Sequence, residues 1–359
     1  AGTAQGLGTM TGVEVATFDF NQTAGSYNYT GDTFTQLNVT NAAASADVIV
    51  NNLADGITVD IEDGTTAFDD ITLDYAGTGT TATATAIINM GAAATVVVDD
   101  TVVTDAQTVT INAVGGTVTT MGILTLDAVD TDVVTVSSAV ASSDINQTGG
   151  FFADVATSLT LQTSAAGGLL SLGIGASVMD EADLLETLTI SADGSETSDI
   201  TITALGSTNA AAAVTSVSFT AANAADITTA SLDLAGATIT TFTMDAQTTG
   251  SIITTGAITA ASIDSLVMSA VTGAEVDGAG DFDVTTIGSI TMSGGGTLRM
   301  DNASNGITTL ESIDASATSG TVVIDMGIVT GDIQTTLGTG TNTYSAGLGT
   351  DTITLASAA

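Results

Sequence analysis

Two nine-residue stretches near the end of the sequence carry the residue types that bind a hard cation. Leu337–Ser345 reads LGTGTNTYS and Ala346–Thr354 reads AGLGTDTIT, so that glycines, an Asn or Asp and an apolar residue recur nine positions apart. Carboxylate, carboxamide and carbonyl oxygens are the ligands that Ca²⁺ takes in proteins. The glycines would permit positive φ in a tight loop that turns its carbonyl groups towards a central ion. The candidate ligands are Gly338, Gly340, Asn342, Gly347, Gly349 and Asp351.

Two further segments place carboxylates at short spacing beside glycine. Residues 193–199 read DGSETSD, which resembles the start of an EF-hand loop but lacks its final Glu, and residues 277–283 read DGAGDFD. Solvated turns are the alternative for both segments because Asp is a common turn residue, and glycine-rich turns without an ion are the alternative for the nonapeptides. The additional candidate ligands are Asp193, Asp199, Asp277, Asp281 and Asp283.

The overall charge makes bound cations an expected feature of this protein. The chain has 40 Asp and Glu residues against a single basic residue, Arg299, and its formal net charge is −39. Such a charge opposes compaction through self-repulsion, so divalent cations from outside are expected to relieve it. The same charge excludes nucleic acid as a partner and disfavours anionic membrane surfaces, because both require Lys and Arg.

The composition also argues against catalysis. Without His, Cys or Lys there is no catalytic triad, no Schiff base and no imidazole general base. A pair of carboxylates acting on a glycoside remains open, but the absence of Trp and the presence of only 4 Tyr leave few platforms for sugar stacking. The sequence therefore predicts a protein that is not an enzyme, and a β-helix polysaccharide-degrading enzyme is the least favoured alternative.

A repeat in the second half of the chain predicts the elements that position these residues. A six-residue pattern, apolar at its first, fourth and sixth positions, starts at Val214, Ile239, Ile263, Ile287 and Leu310, which are 25, 24, 24 and 23 residues apart. Its alternating end is typical of a strand with one buried face. A period in this range indicates a solenoid whose coils bury their apolar face by stacking. We therefore expect an all-β fold, a parallel β-solenoid (β-helix) with coils of about 24 residues.

The first half of the chain repeats less regularly. Copies such as Phe34–Val39, Phe68–Leu73 and Met121–Leu126 are unevenly spaced. We expect an irregular β-rich part over residues 1–200, a regular solenoid over 201–336 and the nonapeptide pair over 337–355, all of which could form one continuous domain. Residues 176–186 are the one helical candidate. An antiparallel sandwich is the alternative fold.

The nonapeptides resemble the RTX calcium-binding repeat, G-G-x-G-x-D-x-apolar-x. The second copy departs from it only in Ala346, whereas the first has Leu337 in place of the first Gly and Asn342 in place of Asp. The resemblance implies a C-terminal β-roll in which loops of adjacent coils complete Ca²⁺ sites. Because two nonapeptides make about one coil, it also implies half-sites that a downstream segment or a neighbouring subunit completes.

The chain as a whole resembles the lattice-forming part of bacterial surface-layer (S-layer) proteins of the Caulobacter type. The resemblance rests on a Thr-, Ala- and Gly-rich composition with no Cys, on segments such as LETLTISA and LESIDASA, and on the terminal nonapeptides. It implies secretion by a type I route and calcium-dependent self-assembly into a surface layer or filament on a bacterial cell. A segment of a secreted RTX-type adhesin that binds a non-self ligand is the alternative.

Two features bear on location. The absence of Cys fits a secreted bacterial protein, and no apolar run approaches the roughly 18 residues of a membrane span. The chain starts at Ala1 without an initiator Met or a signal-peptide pattern, which predicts a processed chain or a segment of a longer one. We expect an extracellular protein with itself and calcium as partners.

Overall fold

The protein folds into two compact units, Ala1–Ala182 and Asp183–Ala359. The described residues contain strands and turns but no helix, and hence none that could cross a membrane. The computed structural model describes residues 13–19, 25–29, 34–41, 47–63, 68–76, 84–91, 97–114, 118–126, 131–138, 144–147, 151–152, 156–164, 168–172, 184–194, 199–206, 213–278, 282–301 and 307–356.

The N-terminal unit is built from short strands that pair in parallel, each with a strand one coil later along the chain. The strands are β1 (Val15–Asp19), β2 (Gly25–Asn28), β3 (Gln36–Asn41), β4 (Val48–Leu53), β5 (Thr58–Asp63), β6 (Phe68–Tyr75), β7 (Thr85–Met90), β8 (Val97–Thr104), β9 (Thr108–Ala113), β10 (Val118–Leu126), β11 (Val133–Ser138), β12 (Asp144–Gln147), β13 (Phe151–Phe152), β14 (Ser158–Thr163) and β15 (Leu169–Leu172).

These strands stack in two columns, between which the chain alternates as it winds. One column runs β1, β3, β5, β7, β9, β11, β14, and the other runs β2, β4, β6, β8, β10, β12, β15. This is a parallel β-solenoid. The predicted copies Phe68–Leu73 and Met121–Leu126 lie in the second column, so part of the uneven spacing arises from mixing the two columns. The first column buries the aligned side chains of Leu37, Val59, Ile88, Ile111, Val136 and Leu161.

The C-terminal unit has the same parallel pairing, but several of its strands are longer and bend around the coil. The strands are β16 (Thr187–Asp193), β17 (Ile200–Ile202), β18 (Leu205–Gly206), β19 (Ser216–Ala222), β20 (Asp226–Ala246), β21 (Ile252–Ala270), β22 (Glu275–Gly278), β23 (Phe282–Gly294), β24 (Thr297–Asp301), β25 (Thr309–Thr318), β26 (Thr321–Asp325), β27 (Gln334–Leu337), β28 (Thr341–Ser345) and β29 (Thr352–Leu355).

The strand register confirms the predicted period and shows how it shortens. One inward column runs through Val217, Phe242, Leu266, Ile290, Ile313, Thr335 and Ile353, which are 25, 24, 24, 23, 22 and 18 residues apart. The coils therefore have about 24 residues until the nonapeptides, where two nine-residue repeats make one coil of 18. Alternating apolar residues face the interior of each coil because successive strand side chains point to opposite faces.

The helical candidate is only partly observed. Of residues 176–186, those up to 183 lie outside the described residues, and Leu184 is in a turn, followed by irregular backbone at Leu185 and Glu186. These last three residues are not helical. Leu185 is fully buried, which is the role of the first apolar position in the repeat.

Candidate functional site

The two nonapeptides form the last described coil of the C-terminal unit. The loop of the first repeat leads into β28, which pairs in parallel with β26, and the loop of the second repeat leads into β29, which pairs with β27. The inward column of Val276, Leu298 and Val322 ends at Asn342, so the candidate ligand of the first repeat takes the place of a core side chain.

The glycines of the nonapeptides have a different physical role from the predicted one. None of the four adopts positive φ, unlike other glycines of the described chain such as Gly294. Instead, a side chain at any of them would overlap the preceding coil, so glycine is required for close stacking of coils. A Cβ atom would meet the carbonyl oxygen of Thr318 at Gly338, of Gly320 at Gly340, of Val329 at Gly347 and of Gly331 at Gly349.

The Asn342 side chain closes the first loop. Its Nδ2 atom donates hydrogen bonds to the carbonyl oxygens of Gly338 at 3.0 Å and Gly340 at 3.1 Å. Its Oδ1 atom is buried and has no hydrogen-bond partner among the residues that the structure describes. The predicted ligand atoms of Gly338 and Gly340 therefore do converge, and in this structure they converge on an amide N–H₂ group.

The Asp351 side chain closes the second loop with the opposite polarity. Its Oδ2 atom accepts a hydrogen bond from the backbone N–H of Gly347 at 2.9 Å, and its Oδ1 atom accepts one from Ile333 at 3.2 Å. Burial raises the pKa of the Tyr344 phenol in the first repeat, a hydrogen bond with Thr335 lowers it, and the charge of Asp351 raises it further. Asp351 thus ties the second loop to the preceding coil.

The donor set partly suits Ca²⁺. Reversing the Asn342 carboxamide would join its oxygen to the two glycine carbonyls and make a cluster of three oxygens, whereas Ca²⁺ takes 6–8. Both oxygens of Asp351 already hold backbone N–H groups, so a cation there would have to compete with them. The residues present can hold part of a calcium shell, and further oxygens must come from water or from another chain segment.

The predicted ligands of residues 193–199 serve as hydrogen-bond acceptors between coils. Asp193 Oδ1 accepts from Asn223 Nδ2 at 2.5 Å, and Asp199 Oδ1 accepts from the N–H of Asp226 at 2.9 Å. Asp226 repeats the arrangement one coil later by accepting from the N–H of Ile252 at 2.8 Å. Burial raises the pKa of Asp199, against the smaller lowering effect of the Asp226 hydrogen bond.

The residues of 277–283 are spread over two strands. Asp277 pairs in register with Arg299, and both line a groove of about 210 Å³ with Asp325 and Thr343. Asp283 is exposed on β23, and Asp281 lies outside the described residues. Across the described part of the chain, no three acidic side chains come together as a metal site.

The basic residue at this groove is held by a neighbouring carboxylate. Arg299 Nε donates to Glu275 Oε1 at 3.0 Å, and the two side chains are 46% and 34% exposed. Such an exposed ion pair contributes little to stability. Its effect is to fix the guanidinium along the outer face of β22 and β24.

A ladder of polar side chains, which the sequence did not predict, lies on the outer face of the N-terminal unit. Gln36 Nε2 donates to Asp60 Oδ2 at 2.5 Å and Asn89 Nδ2 donates to Asp60 Oδ1 at 2.8 Å. Asn112 Nδ2 in turn donates to Asn89 Oδ1 at 3.1 Å. The Asp60 carboxylate can only accept hydrogen bonds, and it accepts one from the strand before it and one from the strand after it. The signal in the sequence that could have predicted this ladder is the recurrence of Gln and Asn at the outward-facing position of successive strands.

The last coil also presents an open end, which we define as residues 334–355. Within the described chain, β28 and β29 pair only on the side of the preceding coil. Leu348, Ile353 and Leu355 are 73%, 47% and 70% exposed. Asp351 is the only charged residue in the open end.

The chain matches no protein-family model, no curated protein and no solved structure.

Proposed function

We propose that the protein is an extracellular structural protein that self-assembles, with calcium, into a surface layer or a filament on a bacterial cell. The observation that carries this proposal is the open end of the last coil. Among the residues that the structure describes, no strand pairs with the outer edges of β28 and β29, and unpaired N–H and C=O groups at a strand edge are a template for pairing with another chain. Exposed Leu348 and Leu355 add apolar surface to the same end.

Charge favours this end as the contact between copies. A chain of net charge −39 repels another copy of itself over most of its surface. The open end has Asp351 as its only charged residue, and that carboxylate already accepts two backbone hydrogen bonds. Two copies therefore approach with the least repulsion where at least one of them presents its open end.

Calcium enters the proposal through the same charge and through the nonapeptide loops. A divalent cation offsets carboxylate repulsion that a single Arg cannot offset. The loops offer the carbonyl oxygens of Gly338 and Gly340 and the side chain of Asn342, a partial shell that a neighbouring copy would complete. The proposal assigns no catalytic residue and no cofactor other than Ca²⁺.

Electron microscopy and light scattering of the purified protein, with Ca²⁺ and with a chelator, test the assembly. We expect sheets or filaments with Ca²⁺ and smaller species after chelation. Leu355→Asp, which puts a charge on the open end, should reduce assembly. Val271→Asp is the matched control, because Val271 is 40% exposed in a turn away from the open end. A monodisperse monomer at high concentration with Ca²⁺ present would contradict the proposal.

Thermal unfolding tests the role of calcium separately. We expect a chelator to lower the Tm, because a ligand that binds only the folded state stabilises it by mass action. Mg²⁺ at the same concentration is the control, since it prefers a smaller octahedral shell and keeps several waters. An unchanged Tm after chelation would show that the fold does not depend on bound cations.

The groove beside Arg299 favours a second candidate, a segment of a secreted RTX-type adhesin. Its lining combines the carboxylates of Asp277 and Asp325 with the guanidinium and the Thr343 hydroxyl, a set that can bind a small polar ligand. At about 210 Å³ it is smaller than the about 300–1,000 Å³ of most ligand pockets. The adhesin would stay monomeric in the microscopy experiment and bind a non-self ligand.

A further inference from the structure

Two threonine hydroxyls stack inside the solenoid of the C-terminal unit. Thr229 of β20 and Thr255 of β21 are 2% and 1% exposed and are direct partners in the parallel register. Neither Oγ1 atom has a hydrogen-bond partner among the residues that the structure describes. A buried hydroxyl without a partner destabilises the folded state, so two neighbouring ones call for a physical explanation.

The column that contains these residues is otherwise apolar. Ile202 precedes Thr229 in register, and Met300 and Ile324 occupy the same column in later coils. Gly278, the partner of Met300, lies between Thr255 and Met300 and has no side chain. Small or polar residues thus fill successive positions where the neighbouring coils place Ile or Met.

The spacing of the two hydroxyls suits one bridging molecule. Neighbouring strands lie about 4.7–4.9 Å apart, so matching atoms of register partners are separated by about that distance. This separation exceeds the roughly 2.5–3.0 Å of a direct O–H···O bond. A water molecule that makes two hydrogen bonds of about 2.8 Å at a near-tetrahedral angle spans roughly 4.5–4.8 Å.

We propose that one ordered water molecule is bound inside the C-terminal unit and bridges Thr229 Oγ1 and Thr255 Oγ1. Two polar partners are within the range of about 2–4 that buried waters have. The water satisfies both hydroxyls and links consecutive coils by a side-chain contact in addition to the backbone ladder. This site is independent of calcium and of assembly, because both threonines lie in the core.

Thr101 is the matched control in the N-terminal unit. It is 1% exposed, and its Oγ1 also lacks a partner among the described residues, but its register partners are Ile71 and Leu124. A single hydroxyl between apolar residue types offers a water only one side-chain partner. Thr→Val is nearly isosteric and replaces the hydroxyl with a methyl group, so the sign of the change in Tm reports whether that hydroxyl is satisfied.

The test combines a crystal structure of the full chain with thermal unfolding of Thr→Val variants. We expect an electron-density peak within about 2.7–3.0 Å of both Oγ1 atoms. Thr229→Val and Thr255→Val should each lower the Tm, because the water and the other hydroxyl lose a partner. The double variant should lose less than the two singles together, and Thr101→Val should raise the Tm.

Two results would overturn the inference. One is the absence of density between the hydroxyls, including a direct bond between them. The other is a rise in Tm for Thr229→Val and Thr255→Val that matches Thr101→Val and adds in the double variant, which is the behaviour of dry, unsatisfied hydroxyls. Chelation of calcium should leave the coupling between the two threonines unchanged.

Discussion

Asn342 and Asp351 occupy the same position of two successive nine-residue repeats, and their side chains make opposite hydrogen bonds with the backbone. Asn342 donates to the carbonyl oxygen of the glycine four residues earlier, whereas Asp351 accepts from the N–H of the glycine four residues earlier. The carboxamide suits a loop that points carbonyl groups inwards, and the carboxylate suits one that points N–H groups inwards. The difference between the two repeats therefore follows from local backbone orientation.

Asn342→Asp should make the stability of the protein depend more strongly on calcium. The change removes both donated hydrogen bonds and sets a carboxylate against the carbonyl oxygens of Gly338 and Gly340, which we expect to cost about 3 kcal/mol with a chelator present. Ca²⁺ should restore most of that loss by binding the enlarged oxygen cluster. Urea unfolding with chelator and with Ca²⁺ measures both effects. Equal loss under the two conditions would show that the loop does not bind the ion.

Asp351→Ala should lower the Tm with or without calcium. It leaves the N–H groups of Gly347 and Ile333 without their acceptor, at a cost of about 1–3 kcal/mol. If the second loop also binds Ca²⁺, the gain in Tm on adding the ion should shrink. Glu311→Ala, at an exposed position outside the candidate ligands, is the control and should change neither quantity. A Tm equal to that of the unchanged protein would exclude the loop-closing role.

Gly340→Ala should destabilise the last coil by steric overlap. The added Cβ would meet the carbonyl oxygen of Gly320 in the preceding coil, and backbone cannot move aside as a flexible side chain can. Overpacking of this kind costs about 1–3 kcal/mol or more. Gly331→Ala is the matched control, because the nearest atom to its Cβ is 3.9 Å away. Equal unfolding midpoints for the two variants would contradict the stacking role of Gly340.

The period of the solenoid was predictable because one column of inward-facing side chains repeats it in the sequence. Val217, Phe242, Leu266 and Ile290 are register partners, and all are apolar because the same inward position recurs in each coil. The role of Gly340 was not predictable. A glycine required by the approach of another coil reads the same in sequence as one required for positive φ, and only the three-dimensional stacking separates them.

Asp60→Asn should weaken the polar ladder of the N-terminal unit by one hydrogen bond. The carboxylate accepts from Gln36 and Asn89 at once, whereas a carboxamide has one acceptor oxygen and turns its N–H₂ group towards the other donor. We expect the free energy of unfolding, measured by chemical denaturation, to fall by about 1–3 kcal/mol. Glu62→Gln, on the same strand, is the control. If Asp60→Asn lowered the free energy of unfolding no more than Glu62→Gln does, the ladder would be contradicted.

The same ladder shows why polar contacts were harder to foresee than the core. Asp60 and Asn89 are 29 residues apart in a chain whose coils vary in length, so their contact depends on the register of two strands. An Asp within an acidic sequence also reads as a possible metal ligand. Its hydrogen-bond partners become visible only when the register is fixed.

Asp199 and Asp314 should change the pH dependence of stability in opposite directions. Burial raises the pKa of Asp199 above the usual 3.8, so its contribution to stability is present below that pH and is lost as the pH rises through the folded-state pKa. Hydrogen bonds from Ser316 lower the pKa of Asp314, so its contribution is present above 3.8 and is lost as the pH falls. Between about pH 2 and 7, Asp199→Asn should therefore gain stability relative to the unchanged protein as the pH rises above 3.8, whereas Asp314→Asn should lose stability as the pH rises towards 3.8 and show no further change above about pH 5. Unfolding midpoints across this range, with carboxyl titration by NMR, measure both differences, and the same sign for both variants would contradict the assignment.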